Sequence, residues 1–281
     1  MKFFFCHDFR HCSKKVNIII GGKYLIEINK LYNEDCIKFM KTIPDESVDL
    51  IIADPPYYRI YGEFDFIWKD VNEYIEWCKQ WILECHRILK NNGSFYLWGA
   101  IGYNNGYPLP RLVIWIEEEN IFKIINWITQ RNSRGVGSKK GYMSAREELI
   151  YAVKSNEYIW NIAYTEEKSN RKDLGFDGKP RKNEYKRCSD VWIDIAEASQ
   201  SSKERFKLSD GSSFPTVKAQ KLCDRIIKAS SNENDIVYIP FAGSGSEIIS
   251  CINNKRNYIA TETNKQYIDE IILSRINKMV I

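Results

Sequence analysis

Asp235-Ile236-Val237-Tyr238-Ile239-Pro240-Phe241-Ala242-Gly243-Ser244-Gly245-Ser246 is the stretch that decides the fold. A short β-rich run, Asp235 to Ile239, gives way to a Gly-x-Gly turn, and Ser246 to Asn253 then has helical character. Gly243 and Gly245 lack side chains, so the backbone can turn tightly there and approach a ligand closely. The helix that follows offers unpaired N–H groups to a carboxylate or phosphate. A second strand, Asn257 to Thr261, ends in Glu262, an acid suited to both hydroxyls of a ribose. A lone Gly-x-Gly is as often a structural turn as a ligand loop. Strand, glycine turn, helix, strand and acid in succession point to a nucleoside cofactor, without choosing which.

A second strand end is as unusual. Val48-Asp49-Leu50-Ile51-Ile52-Ala53 stops abruptly at Asp54-Pro55-Pro56-Tyr57. Two prolines fix the backbone and remove two N–H donors, which leaves carbonyl oxygens free to accept. With the Asp54 carboxylate, the place is rich in acceptors and backed by an aromatic ring. Such a site suits an amino group on a flat ring, stacked on Tyr57, its two hydrogens taken by Asp54 and the Pro55 carbonyl. A rigid turn with an exposed tyrosine is the plainer alternative.

Between and around these ends, strand-like and helix-like segments alternate, the mark of an α/β fold with a largely parallel sheet. Val71 to Lys90 places Ile75, Cys78, Ile82, Cys85 and Leu89 at helical spacing, and Asn91-Asn92-Gly93 is expected to stop that helix. Ser94 to Trp98 reads as a strand, Arg111 to Glu119 as a helix, and Phe122–Thr129 and Glu147–Val153 as strands. From about 155 to 215 apolar periodicity fades and Lys168, Arg171, Lys172, Lys179, Arg181, Lys182, Lys186 and Arg187 crowd together. Order returns with a helix from Thr216 to about Ser230 and a last one from Asn264 onward.

Composition sets outer bounds. The 281 residues suffice for one core with an inserted lobe, and a formal charge of +4 is mild. The eight cysteines include no C-x-x-C pair, so neither a zinc ribbon nor a disulfide framework is indicated. Cys6, His7, His11 and Cys12 read as an irregular N-terminal arm rather than metal ligands, and no metal is expected. No run is long enough to span a bilayer, and scattered thiols fit a reducing compartment, so a soluble, cytoplasmic protein is expected.

Taken together, the two motifs resemble those of the β-group amino DNA methyltransferases, which act on adenine N6 or cytosine N4. Asp54-Pro55-Pro56-Tyr57 is similar to their catalytic motif and Phe241-Ala242-Gly243-Ser244-Gly245 to their cofactor loop. Catalytic motif first and cofactor loop last is the β-group order, a circular permutation of the common methyltransferase sheet. The likeness runs from about Ile28 to the C-terminus. Asn126-Trp127-Ile128-Thr129, Gly137-Ser138-Lys139-Lys140 and Glu147 are especially similar to the MboII-type adenine methyltransferases.

The resemblance implies a single Rossmann-like, mostly parallel sheet with an antiparallel edge strand and an inserted DNA-recognition lobe. It divides the chain into an arm (1–27), a catalytic half (28–154), a target-recognition region (155–213) and a cofactor half (214–281). It implies S-adenosyl-L-methionine as cofactor, held by Asp35, Cys36, Asp54, Thr216, Lys218, Phe241, Ala242, Gly243, Ser244, Gly245, Ser246, Glu262 and Thr263. It casts Asp54, Pro55, Pro56 and Tyr57 as catalytic, with double-stranded DNA held by Arg131, Arg134, Lys139, Lys140, Arg171, Lys172, Arg181, Lys182, Lys186 and Arg187. A homodimer and a cognate restriction endonuclease are partners that the resemblance allows. Asp rather than Ser at position 54 tilts toward adenine, with cytosine N4 as the alternative. Ile239 stands where the family usually has an acid, a departure that also keeps open a DNA-binding module without catalysis.

Overall fold

The computed structural model describes residues 17–20, 24–60, 63–101, 105–136, 140–169, 179, 183–196 and 206–279. A hairpin of β1 (Asn17–Ile20) and β2 (Tyr24–Glu27) gives the expected arm regular structure before the main sheet begins. Next come β3 (Lys30–Tyr32), α1 (Cys36–Met40), β4 (Val48–Ala53), α2 (Val71–Ile88), β5 (Leu89–Gly99) and α3 (Pro108–Glu118). Two long strands, β6 (Lys123–Val136) and β7 (Ser144–Val153), form a hairpin. Among its described residues, the 155–215 region contributes β8 (Tyr164–Lys168), β9 (Tyr185–Arg187) and β10 (Val191–Trp192). The chain closes with α4 (Gln220–Ser230), β11 (Ile236–Ile239), α5 (Ser246–Asn253) and β12 (Asn257–Thr261), then a π-helical turn, Tyr267–Ile272, running into α6 (Leu273–Met279).

Eight strands form the main sheet in the order β10-β6-β7-β5-β4-β11-β12-β3. Every neighbouring pair is parallel except the two that involve β7, which runs antiparallel near one edge with β6 and β10 outside it. β4 is buried along its whole length, as a central parallel strand must be with helices on both faces. One face packs Met40, Cys78, Trp81, Ile82 and Ile116 from α1, α2 and α3 against it. The other packs Leu222, Ile226, Ile248 and Ile272 from α4, α5 and the π-helical turn.

Local chemistry explains the boundaries. Asp70 starts α2 by accepting from the N–H groups of Asn72 and Glu73, at 2.8 and 3.0 Å. The helix ends at Ile88, short of the expected Asn91-Asn92-Gly93, and those residues join β5 instead. Gly93 is what permits this: a Cβ there would lie 2.6 Å from Leu89 and 2.9 Å from the Asp49 carbonyl. α4 begins at Gln220 rather than Thr216, because its N-cap Ala219 is still in extended backbone and residues 216–218 carry no helix.

Topology positions the site. From β4 the chain moves on to β5 on one side, whereas from β11 it moves on to β12 on the other. The carboxyl ends of β4 and β11 therefore flank a topological switch point, where open α/β sheets leave a crevice for ligands. Asp54 follows β4 and the glycine turn follows β11.

Candidate active site at the switch point

At the end of β4, Asp54 is engaged from two directions. The Tyr57 hydroxyl donates to Oδ1 at 2.6 Å, and Lys218 Nζ lies 3.2 Å from Oδ2. Lys218 also donates to the Tyr57 hydroxyl at 3.1 Å and to Glu147 Oε2 at 2.8 Å. Its ammonium sits 4.8 Å from the centre of the Trp98 ring. The lysine side chain is only 7% exposed, whereas Glu147 is 32% exposed and faces outward. Tyr74 donates to the Pro56 carbonyl at 2.8 Å and so fixes the turn from α2. Pro55 and Tyr57 line a narrow crevice with Tyr74, Trp98 and Gly99.

Charge in this cluster is balanced by burial and neighbours. Burial pushes Asp54 above the usual carboxylate range, while Lys218 and the Tyr57 hydroxyl pull it down. For Lys218 burial acts downward, but the carboxylates of Asp54 and Glu147 outweigh it and hold the ammonium protonated. The result is an acceptor carboxylate, a fixed positive charge and a carboxylate that leads to solvent.

The glycine turn after β11 is built from backbone. Gly245 N–H donates to the Ala242 carbonyl at 2.6 Å, and Ala242 N–H to the Thr261 carbonyl at 2.9 Å. Gly243 and Gly245 have φ of 52° and 77°, in the left-handed region. A Cβ would lie 3.3 Å from the Phe214 ring at the first and 3.0 Å from Ile272 at the second. Glu262 accepts from the N–H groups of Gly243 and Asn264, at 2.8 and 2.9 Å. Asn33 donates to the carbonyls of Glu262 and Thr263, which stitches the end of β3 to the end of β12. Asp35, exposed beside that stitch, caps α1 through the Lys38 N–H.

The donors and acceptors here are of the kind a nucleoside uses: Glu262 meets the glycine turn from the next strand, and Asp35 is a second carboxylate one strand further on. Phe241 is half-buried against Trp77 and Trp81, at 5.8 and 5.3 Å between ring centres. Thr216 and Thr263 are exposed nearby in the chain, and Ala242, Ser244 and Ser246 are buried. The Ser246 hydroxyl donates to the Lys218 carbonyl at 2.9 Å, so it holds the loop together. Cys36 is buried, which pushes its thiol up and leaves that thiol neutral. Lys218, expected among the cofactor residues, joins the turn through its backbone alone; its ammonium belongs to Asp54.

The expected DNA contacts fall into separate units. Arg131 lies exposed on β6 and Lys140 in the β6–β7 loop, while Lys186 and Arg187 are exposed on β9, with Lys186 paired to Glu167. Lys139, Arg171, Lys172, Arg181, Lys182 and the Arg134 side chain lie outside the described residues, as do Cys6, His7, His11 and Cys12. Among the described residues no group of His, Cys, Asp or Glu could hold a metal ion, and no helix is long and apolar enough to cross a membrane.

A family model described as DNA methylase, covering N6 and N4 methyltransferases, matches residues 48–273. The chain belongs to that family. Both strand ends fall inside the matched stretch. The chain is 34% identical over 253 residues to the DNA adenine methyltransferase YhdJ of Escherichia coli K12, which spans 86% of this chain and 81% of that one. It is 30% identical over 263 residues to the type II methyltransferase M1.MboII of Moraxella bovis, across 88% of this chain and 96% of the relative. Among solved structures, the PvuII cytosine-N4-specific DNA methyltransferase aligns with a TM-score of 0.63 at 18% identity, over 89% of this chain and 92% of that one. The M1.HpyAVI–SAM complex aligns with a TM-score of 0.55 at 22% identity, over 88% and 98%. These structural likenesses show the fold of this DNA methylase.

Glu147 was visible in the sequence only as part of the family likeness. Its bond to Lys218 had no local signal, because the two residues are 71 positions apart.

Proposed function

We propose that this DNA methylase transfers a methyl group from S-adenosyl-L-methionine to the N6 amino group of adenine in double-stranded DNA. The observation that carries the proposal is the acceptor carboxylate Asp54 closing the strand next to the one that ends in the glycine turn. S-adenosyl-L-methionine supplies a methyl group activated on a sulfonium centre. Glu262 and Asp35 suit its ribose hydroxyls and adenine amino group, with the glycine turn beside them. The adenine-named relative and Asp at position 54 favour adenine.

An exocyclic amino nitrogen is a weak nucleophile, because its lone pair is delocalised into the ring. Asp54 and the Pro55 carbonyl, accepting its two hydrogens, draw density back to nitrogen. The acceleration comes from positioning and preorganised charge. The amine becomes acidic as it takes the methyl group, and Asp54 receives its proton. Oδ1 already accepts from the Tyr57 hydroxyl and keeps a second lone pair for the incoming amino group, with the tyrosine ring beside it to stack. Lys218 keeps Asp54 in its accepting form, and Glu147 gives the cluster an outlet to solvent. A base inside a duplex cannot reach this place, so the target nucleotide is flipped out.

Type II names among the relatives favour a restriction–modification setting, with a cognate endonuclease as partner. The test is transfer of labelled methyl from S-adenosyl-L-methionine to unmethylated bacterial DNA, followed by nucleoside analysis. Label in 6-methyladenine supports the proposal. Label in 4-methylcytosine keeps the acceptor chemistry and overturns the base. DNA binding without label favours a binding module, with Ile239 as the first position to restore to an acid.

A further inference from the structure

The β6–β7 hairpin does more than complete the sheet. β7 enters the pairing with β5 at Glu148, opposite Gly99, so Ser144 to Glu147 project past the carboxyl end of β5. Glu147 is the residue that holds Lys218 against Asp54. Five positions earlier stands Tyr142, at most about 16 Å further along an extended strand. Tyr142 is fully exposed and Met143 is 65% exposed, directly before β7 begins at Ser144, beyond its last pair with Val136. The sequence from Arg131 to Arg146 holds five lysines and arginines and no acidic residue. Arg131, Lys140 and Arg146 are exposed.

A two-stranded β-ribbon fits the major groove of DNA, and a cationic one is drawn to phosphates. An aromatic side chain near the outer end of such a strand, rooted beside Asp54, meets the duplex where the target base leaves it. Resting on the methyltransferase function proposed above, we infer that Tyr142 is the wedge that fills the stack vacated by the flipped base. Its ring replaces the lost stacking partner of the neighbouring bases, and the basic flanks hold the ribbon on the backbone. Base–aromatic stacking is indifferent to sequence, so the wedge serves extrusion and leaves recognition to other residues.

The test uses an oligonucleotide containing the adenine that the wild-type protein methylates, in three forms. One is the perfect duplex, one carries a mismatch opposite the target, and one carries 2-aminopurine at the target. Tyr142→Ala is expected to lower kcat/KM on the perfect duplex by at least about tenfold, the low end for a lost base–aromatic stack. On the mismatched duplex, where extrusion is already easy, it is expected to stay near the wild type. Tyr142→Phe is expected to behave as wild type on both, and the 2-aminopurine fluorescence rise on binding to be lost in Tyr142→Ala alone. Equal loss on both duplexes, or wild-type activity of Tyr142→Ala on the perfect duplex, overturns the wedge and leaves the methyltransferase standing. A wild-type protein that methylates adenine in no unmethylated DNA offered to it, so that no such oligonucleotide can be chosen, overturns both. Fluorescence reports extrusion without methyl transfer, so a failure of chemistry is told apart from a failure of the wedge.

Discussion

The two strand ends that flank the crevice are built in opposite ways. The glycine turn after β11 is local: its backbone closes on itself, and the acid that its N–H meets, Glu262, lies 19 residues away. The end of β4 is assembled from afar. Lys218 reaches Tyr57 across 161 residues of chain, and Glu147 reaches Lys218 across 71. One end depends on the absence of side chains, the other on a balance of buried charges. The first is sensitive to volume, and the second to charge and pH.

Removing the central charge should have the largest effect. Lys218→Met keeps the length but leaves Asp54 and Glu147 facing each other without a cation. Breaking a buried pair in this way costs about 3–5 kcal/mol, to be read from urea unfolding. Without Lys218 the Asp54 carboxyl is pushed further up, so the acid limb of the pH–rate profile moves to higher pH. Unchanged stability together with an unmoved profile would show that the charge balance is not what maintains this end.

Glu247 sharpens the comparison, because it adds a second acid, fully buried, beside the glycine turn. It is buried in the first turn of α5, where burial, and next the charge of Asp54, push its carboxyl up to about 7. Its folded pKa lies above its unfolded value of 4.5. The stabilising contribution is therefore full below about pH 4.5 and is lost as pH rises through about 7. Glu247→Gln is expected to remove that dependence and to gain on the wild type by up to about 3 kcal/mol at pH 8. Thermal unfolding at pH 5 and pH 8 checks this, and parallel pH profiles for both proteins would refute it.

The smallest effect belongs to the glycine end. Gly245→Ala places a Cβ 3.0 Å from Ile272 at a φ of 77°, at a cost of about 1–2 kcal/mol from the left-handed backbone. Cofactor affinity is expected to fall with it in isothermal titration, while the Asp54 cluster keeps its pH profile. A shifted profile in Gly245→Ala would mean that the two ends are not separate.

This contrast also explains what the sequence made legible. Strand, glycine turn, helix, strand and acid is a contiguous pattern, and its limits at Ser246–Asn253 and Asn257–Thr261 match the structure. Asp54-Pro55-Pro56-Tyr57 was equally plain, since prolines and a strand end are local features. Lys218 was visible as a residue near the cofactor loop, but the direction of its ammonium was not. A side chain crossing from one strand end to the next leaves no trace in periodicity. The early end of α2 was hidden too, because Gly93 looks like a helix stop until Leu89 and the Asp49 carbonyl are seen against it. Much of the basic stretch expected to grip DNA lies outside the described residues, and Lys186 and Arg187 stand on a sheet of their own.

The most direct test separates the two ends in one protein. Asp54→Ala should be titrated with S-adenosyl-L-methionine and then assayed for a single turnover on DNA that the wild type methylates. Cofactor binding weakened at most a few-fold, with methyl transfer lost by at least about a hundredfold, is the predicted result. Transfer at the wild-type rate, or binding and transfer lost together, would contradict the division of labour between the two strand ends.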